Sequence, residues 1–206
     1  MGAELETETK GGRYHHGDLR NALVQAALSM LEKDGLDRLT LRGVAAAVGV
    51  SHAAPGHHFG TLTGLRTARA AIGSARFGAS MRAERAAAPD DPAAQRRAAR
   101  RGYLSFAMGQ PALFRLMGSS PLLDWSDPDL DRAATTARAE LTAICAPAAT
   151  RLGLTTDEAR RALEHLVWSE VHGYALLRID GQIADVMAVP PSPDLAALLF
   201  GGEDGA

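Results

Sequence analysis

The chain has 206 residues, a formal net charge of −2 and one cysteine, Cys145, which rules out a disulfide framework or a thiol-rich metal site. Its apolar residues include 40 Ala and 26 Leu against 8 Val and 4 Ile, a choice that favours an all-α protein because Ala and Leu are strong helix formers and β-branched residues mark strands. The charge is partitioned: residues 10–85 carry eleven Lys/Arg against five Asp/Glu and five of the seven His, while residues 86–206 carry eleven against sixteen, as if a polyanion-binding head were joined to a body with another task.

Residues 1–9 and 201–206 are polar or Gly-rich and read as loose ends. Glu4, Glu6 and Glu8 stand where a signal peptide would carry bases. The longest uncharged stretch, Gly43 to Leu65, holds Pro55, three His and five Gly, which argues against a membrane span, so a soluble cytoplasmic chain is expected. The first helix reads from Asp18 as N-cap, with Leu19, Leu23, Ala26, Ala27, Met30 and Leu31 on one stripe, to Gly35 as the stop. A short second helix runs from Thr40 as N-cap to Gly49 as C-cap, with Leu41, Val44, Ala47 and Val48 on its apolar face. Ser51 is then expected to cap a third short helix ending near His58, and Thr63 a fourth, longer one ending near Arg85. Ala86–Pro92 is a break. Beyond it the pattern gives helices over Pro92–Gly109, from Pro111, over Pro128–Leu152 and Thr156–Asp180, and a last short one around Asp194–Phe200. A long loop from Gly118 to Asp127 interrupts them. The total is nine or ten helices.

The second and third helices, joined by Gly49-Val50-Ser51, form a helix-turn-helix. Gly49 takes the left-handed backbone that ends one helix, Val50 fills the apolar gap between the two, and Ser51 opens the next. The third helix can then enter the major groove of DNA and present side chains to base edges.

The segment from Tyr14 to Leu65, with YHHGDLR before LVQAALSMLEKDGLDRLTLRGVAAAVGVSHAAPGHHFGTLTGL, resembles the DNA-binding domain of the tetracycline-repressor (TetR) family. Near the other end, Trp168-Ser-Glu-Val-His172-Gly173 is similar to the Trp-His-Gly pattern of one subgroup's C-terminal domain. The resemblance implies a homodimeric transcriptional regulator, usually a repressor, and no enzyme. Residues 10–65 would read double-stranded operator DNA, and residues 66–200 would dimerise and enclose a small-molecule effector. Effector binding would move the fourth helix and spoil the spacing of two reading heads that must sit about one DNA turn apart, roughly 34–36 Å. A ligand drives such a change only by binding the DNA-free conformation better.

Two positions depart from the family pattern. Gly56 replaces a customary tyrosine and Leu62 a customary lysine, both of which hold phosphates. Pro55 also removes a backbone donor, so the recognition segment carries no formal charge at neutral pH. The DNA contacts are therefore assigned to Lys10, Arg13, Thr40, Arg42 and Thr63 for backbone grip, and to Ser51, His52, Ala53, Ala54, His57 and His58 for the groove. Protonation of the three imidazoles would add cations there, so binding should tighten as pH falls from about 8 to about 6.

The candidate effector pocket is Phe77, Met81, Tyr103, Phe106, Phe114, Met117, Trp125, Trp168 and His172, and few charges are expected inside it, which favours an apolar or aromatic ligand. The stripe Leu163, Leu166, Val167, Glu170, Val171 and Tyr174 is the candidate dimer seam, in a four-helix bundle made by two subunits. No metal site is read from the histidines, which have no Cys or acid among them, and no cofactor motif, nucleophile elbow or phosphate loop is present. The alternative reading is a helical ligand-sequestering protein whose reading head has degenerated at Gly56 and Leu62.

Overall fold

The computed structural model describes residues 16–183. Their elements are α1 (His16–Asp34), a 3-10 turn (Leu36–Arg38), α2 (Leu41–Val48), α3 (Ala54–Phe59), α4 (Leu62–Ala86), α5 (Pro92–Gly109), α6 (Pro111–Gly118), a second 3-10 turn (Ser120–Leu122), α7 (Pro128–Arg151) and α8 (Asp157–Ile179). The chain is all-α, as its composition requires, with eight α-helices among the described residues. The helix expected at Asp194–Phe200, the ends 1–9 and 201–206, and Lys10 and Arg13 lie outside them.

Local chemistry sets most boundaries. Thr40 Oγ1 accepts from Gly43 N at 3.0 Å, Asp91 Oδ2 from Ala94 N at 2.7 Å, and Thr156 Oγ1 from Ala159 N at 3.2 Å. Asp127 Oδ1 accepts from both Asp129 N and Leu130 N, at 3.0 and 2.9 Å. Three expected caps move. α1 starts two residues before Asp18, whose carboxylate lies in the first turn and faces the positive end of the helix dipole. Ser51 does not cap α3 through its side chain; its carbonyl accepts from Ala54 N at 3.0 Å, and Ala53 holds the N-cap position. Thr61, not Thr63, caps α4 by accepting from Gly64 N at 3.1 Å, which leaves Thr63 exposed in the first turn.

Two cores share the long helix α4. The head core joins Leu23, Val24 and Ala27 of α1, Leu39 and Val44 around α2, and Leu65 of α4. Each fully buried leucine there contributes about 2 kcal/mol. The body core joins Tyr103, Phe106, Leu113, Phe114, Leu116, Leu130 and Val171, and draws in Ala70 and Met81 of α4 and Leu31 of α1. A smaller cluster of Cys145, Ala148, Ala149 and Leu163 holds α7 to α8. The far end of α4 is clamped: Glu140 of α7, buried, accepts from Arg82 Nε at 2.9 Å and from Arg85, while Gln95 of α5 exchanges hydrogen bonds with the Arg85 guanidinium and carbonyl.

Candidate nucleic-acid interface and effector site

α2 ends in a left-handed turn at Gly49, φ 74°, whose N–H reaches the Ala46 carbonyl while Val50 N reaches Ala45 O, both at 3.1 Å. That turn points the chain back, and Val50 packs against the head core. α3 follows with Pro55 buried and Ser51, His52, Ala53 and His57 exposed. Ala54, Gly56 and His58 are half-buried. A Cβ on Gly56 would meet nothing within 4 Å, so the missing tyrosine leaves open space on α3. Leu62 packs against the head core, so the position that lost a lysine gained an apolar contact. At Gly64 a Cβ would collide with the Phe59 carbonyl; only glycine lets the end of α3 and the start of α4 approach so closely. Arg42 is exposed on α2, and the guanidinium of Arg20 lies over the Phe59 ring, 5.4 Å from its centroid. Sequence reading missed Arg20, whose aromatic partner is on another helix. Arg20, Thr40, Arg42 and Thr63 are all exposed, and α3 carries no formal charge of its own.

In the body, six of the nine candidate effector residues meet as rings. Phe77 packs edge-on against Tyr103, Phe106 and Phe114, with centroids 4.8, 5.4 and 6.4 Å away, and Phe114 lies 5.0 Å from His172. Trp168 extends the cluster outward, 6.0 Å from His172 and 48% exposed. Tyr103 Oη and His172 Nδ1 are 2.8 Å apart. Burial pushes the Tyr103 hydroxyl well above its ordinary pKa, against a smaller opposing pull from a hydrogen bond with Trp168, and burial pushes the His172 imidazole below 6.5. Both groups are therefore neutral near pH 7, and they share one hydrogen bond whose donor is set by the imidazole tautomer. Met81 is buried beside this cluster and Met117 packs on its edge, whereas Trp125 is 46% exposed in the loop before α7. Two shallow depressions among the described residues lie elsewhere, one lined by Thr135, Ala139 and Ala143 of α7, the other by Leu104, Met108 and Tyr174.

Residues 96–199, half of the chain, match the family model described as tetracyclin repressor-like, C-terminal domain. The chain belongs to the TetR family. It is a transcriptional regulator of that family. Over 98% of its length this TetR-family chain is 26% identical to an uncharacterized HTH-type transcriptional regulator of Mycobacterium tuberculosis, covering 94% of that protein. A protein of unknown function from Rhodococcus sp. RHA1 is 31% identical, with a TM-score of 0.72 over 91% of this chain and 94% of that one. The TetR family regulator PfmR of Thermus thermophilus shares the fold at 16% identity, with a TM-score of 0.56 over 75% and 84% of the two chains.

The stripe read as a dimer seam divides in this TetR-family structure. Leu163 and Val171 are buried within the chain, and Val167 packs on the α7–α8 cluster. Glu170 pairs with Arg100, which also lies over the Tyr174 ring at 5.2 Å. Leu166 is 43% exposed and shares its side of α8 with Ala162, Ser169 and Gly173, where a Cβ would meet nothing within 4 Å. Among the described residues, no group of three or more His, Cys, Asp or Glu is placed to hold a metal, and no helix is long and apolar enough to cross a membrane.

Proposed function

We propose that this regulator is a ligand-responsive repressor, released from its operator by a small molecule, of the subgroup marked by Trp168 and His172-Gly173. The observation that carries the reading is the α2–α3 geometry: with Val50 packed on the head core and Pro55 buried, His52, Ala53 and His57 are exposed, as is Arg42 on α2. Residues 10–65 act as the reading head and residues 66–200 as sensor and dimerisation body. The phosphate grip falls to Lys10, Arg13, Thr40, Arg42 and Thr63, helped by Arg20 and by the positive end of α4. The effector enters beside Trp168 and His172, where the aromatic cluster reaches the surface. Separating those rings shifts Phe77 and with it α4, and coupling of about 1–3 kcal/mol is enough for induction. Two copies dimerise through the outer faces of α7 and α8, at Leu166, Ser169 and Gly173 in place of the buried Leu163 and Val171.

The test is a gel shift with the DNA flanking the chain's own gene, run with light scattering on the same sample. A sequence-specific band from a dimer, weakened by Arg42→Ala together with a salt dependence flatter by about one phosphate, supports the repressor. An intact dimer with no specific band supports the ligand-sequestering alternative, which Gly56 and the uncharged α3 favour.

A further inference from the structure

Arg69 stands on α4 at the step from one core to the other. Leu65, one turn earlier, packs in the head core; Ala70, the next residue, packs in the body core with Leu31, Leu113 and Leu116. The Arg69 side chain is 0% exposed, and none of its three guanidinium nitrogens has a hydrogen-bond partner. Burial and Arg76 on the same helix lower its pKa to about 10, with Glu32 of α1 opposing them, so it remains a cation at neutral pH. By contrast, the half-buried Arg85 and Arg100 pair with carboxylates, Glu140 and Glu170. A buried guanidinium with all its donors idle is costly, because it has lost its water and gained no hydrogen-bonded anion, Glu32 acting on it only through its charge.

We propose that Arg69 is the receptor for the carboxylate of an anionic small molecule with an apolar body, admitted between α1, α4 and α6. The planar guanidinium fork matches a carboxylate in a two-bond grip. Leu31, Leu113 and Leu116 belong to the body core that α4 enters at Ala70, and Leu113 also lies against Gly73, so the interior here suits an apolar remainder. One turn along α4, Gly73 leaves room that the Met117 thioether and Leu113 fill, and an unbranched Met gives way at low cost. A ligand gripped there acts on α4 one turn from Leu65, at the root of the reading head. That regulatory consequence rests on the repressor reading, whereas the binding itself does not. The Arg69 site is separate from the entry beside Trp168 and His172, and it takes a carboxylate where composition suggests an uncharged aromatic ligand.

Benzoate and its neutral, similarly shaped amide, benzamide, test this by calorimetry on the full chain without DNA. Benzoate should bind the unmodified protein about tenfold or more tighter than benzamide, since a charge-assisted bidentate contact is added to the same apolar one. Arg69→Met should abolish that preference while keeping the benzamide affinity, and a melting temperature no lower than the parent's would show that the variant folds. Equal affinities for the two probes, no measurable binding of benzoate, or a preference that survives both Arg69→Met and Arg69→Gln overturns the proposal. A gel shift with benzoate keeps the two readings apart: charge-selective binding with no operator band removes the repressor but leaves the Arg69 site standing, and an operator band with charge-blind binding does the reverse.

Discussion

The head and the body handle polar groups in opposite ways. The head core is built from aliphatic side chains, Leu23, Val24, Leu39, Val44 and Leu65 with Ala27, and its hydroxyls serve at helix ends, Thr40 on α2 and Thr61 on α4. The body takes Glu140, Arg69, Thr67 and Ser74 inside, and ties Tyr103 to His172 amid five aromatic rings. An aliphatic core with satisfied ends has one good arrangement and moves as a block. An interior with directional pairs, one of them incomplete at Arg69, has reason to adopt a second arrangement when a missing partner arrives. Rigidity suits a reader of base edges, and an unsatisfied interior suits a sensor.

Substitutions that break this division should differ in size and place. Gly64→Ala pushes a methyl into the Phe59 carbonyl and should cost about 3 kcal/mol, centred on the head. A thermal melt showing an early loss of head structure checks this, and an unchanged melt would mean that α3 and α4 can part without penalty. Glu140→Ala frees the far end of α4 and leaves Arg85 enclosed without its carboxylate. Because Arg82 is largely exposed, about 2 kcal/mol is expected rather than the full cost of a buried pair. Urea unfolding measures it, and a stable variant would place the α4 anchor elsewhere. Thr40→Ala removes one cap from α2 and should cost about 1 kcal/mol, with hydrogen-exchange protection falling in α2 and α3 but not in α7 or α8. Protection lost throughout would show one cooperative unit instead of two.

The smallest effect is a pH slope. Burial lowers the His172 pKa in the folded chain, so below about 6.5 the unfolded state takes up a proton that the folded state resists. The His172 contribution is therefore complete above that pH and declines as pH falls toward the lowered folded value. Melting temperatures between about pH 7.5 and 5 should drop with acid, and His172→Gln should remove this part of the drop. An identical slope in the variant would put the acid sensitivity in other groups.

What the chain's local chemistry encodes was legible. Thr40 and Gly49 bracket α2, and Pro92, Pro111 and Pro128 open α5, α6 and α7, because a cap or a first-turn proline needs only its near neighbours. The failures have two causes. Where two hydroxyls compete, as Thr61 and Thr63 do two residues apart, the close approach of Phe59 to Gly64 decides, and that is a tertiary fact. Where a partner is distant in sequence, as for Arg20 over Phe59 or Arg82 on Glu140, no pattern along the chain announces it. The aromatic residues were recognisable as a group, but not that Trp125 is exposed while Tyr103 bonds His172. Arg69 was invisible for the same reason: a basic residue on a long helix reads as solvated until the fold encloses it.

A hydrogen bond from Asp124 N to Thr67 Oγ1, at 2.9 Å, ties the loop before α7 to α4, and Trp125 is the next residue. The chain's other tryptophan, Trp168, lies edge-on to His172. The molecule thus carries two indole fluorophores, one beside the stem of the reading head and one at the mouth of the aromatic cluster. Imidazolium quenches indole emission, so Trp168 dims as His172 gains a proton, while Trp125 shifts colour if α4 lets go of its loop. Replacing either indole with Phe separates the two signals, and occupancy and transmission can then be timed in a single cuvette without any added label.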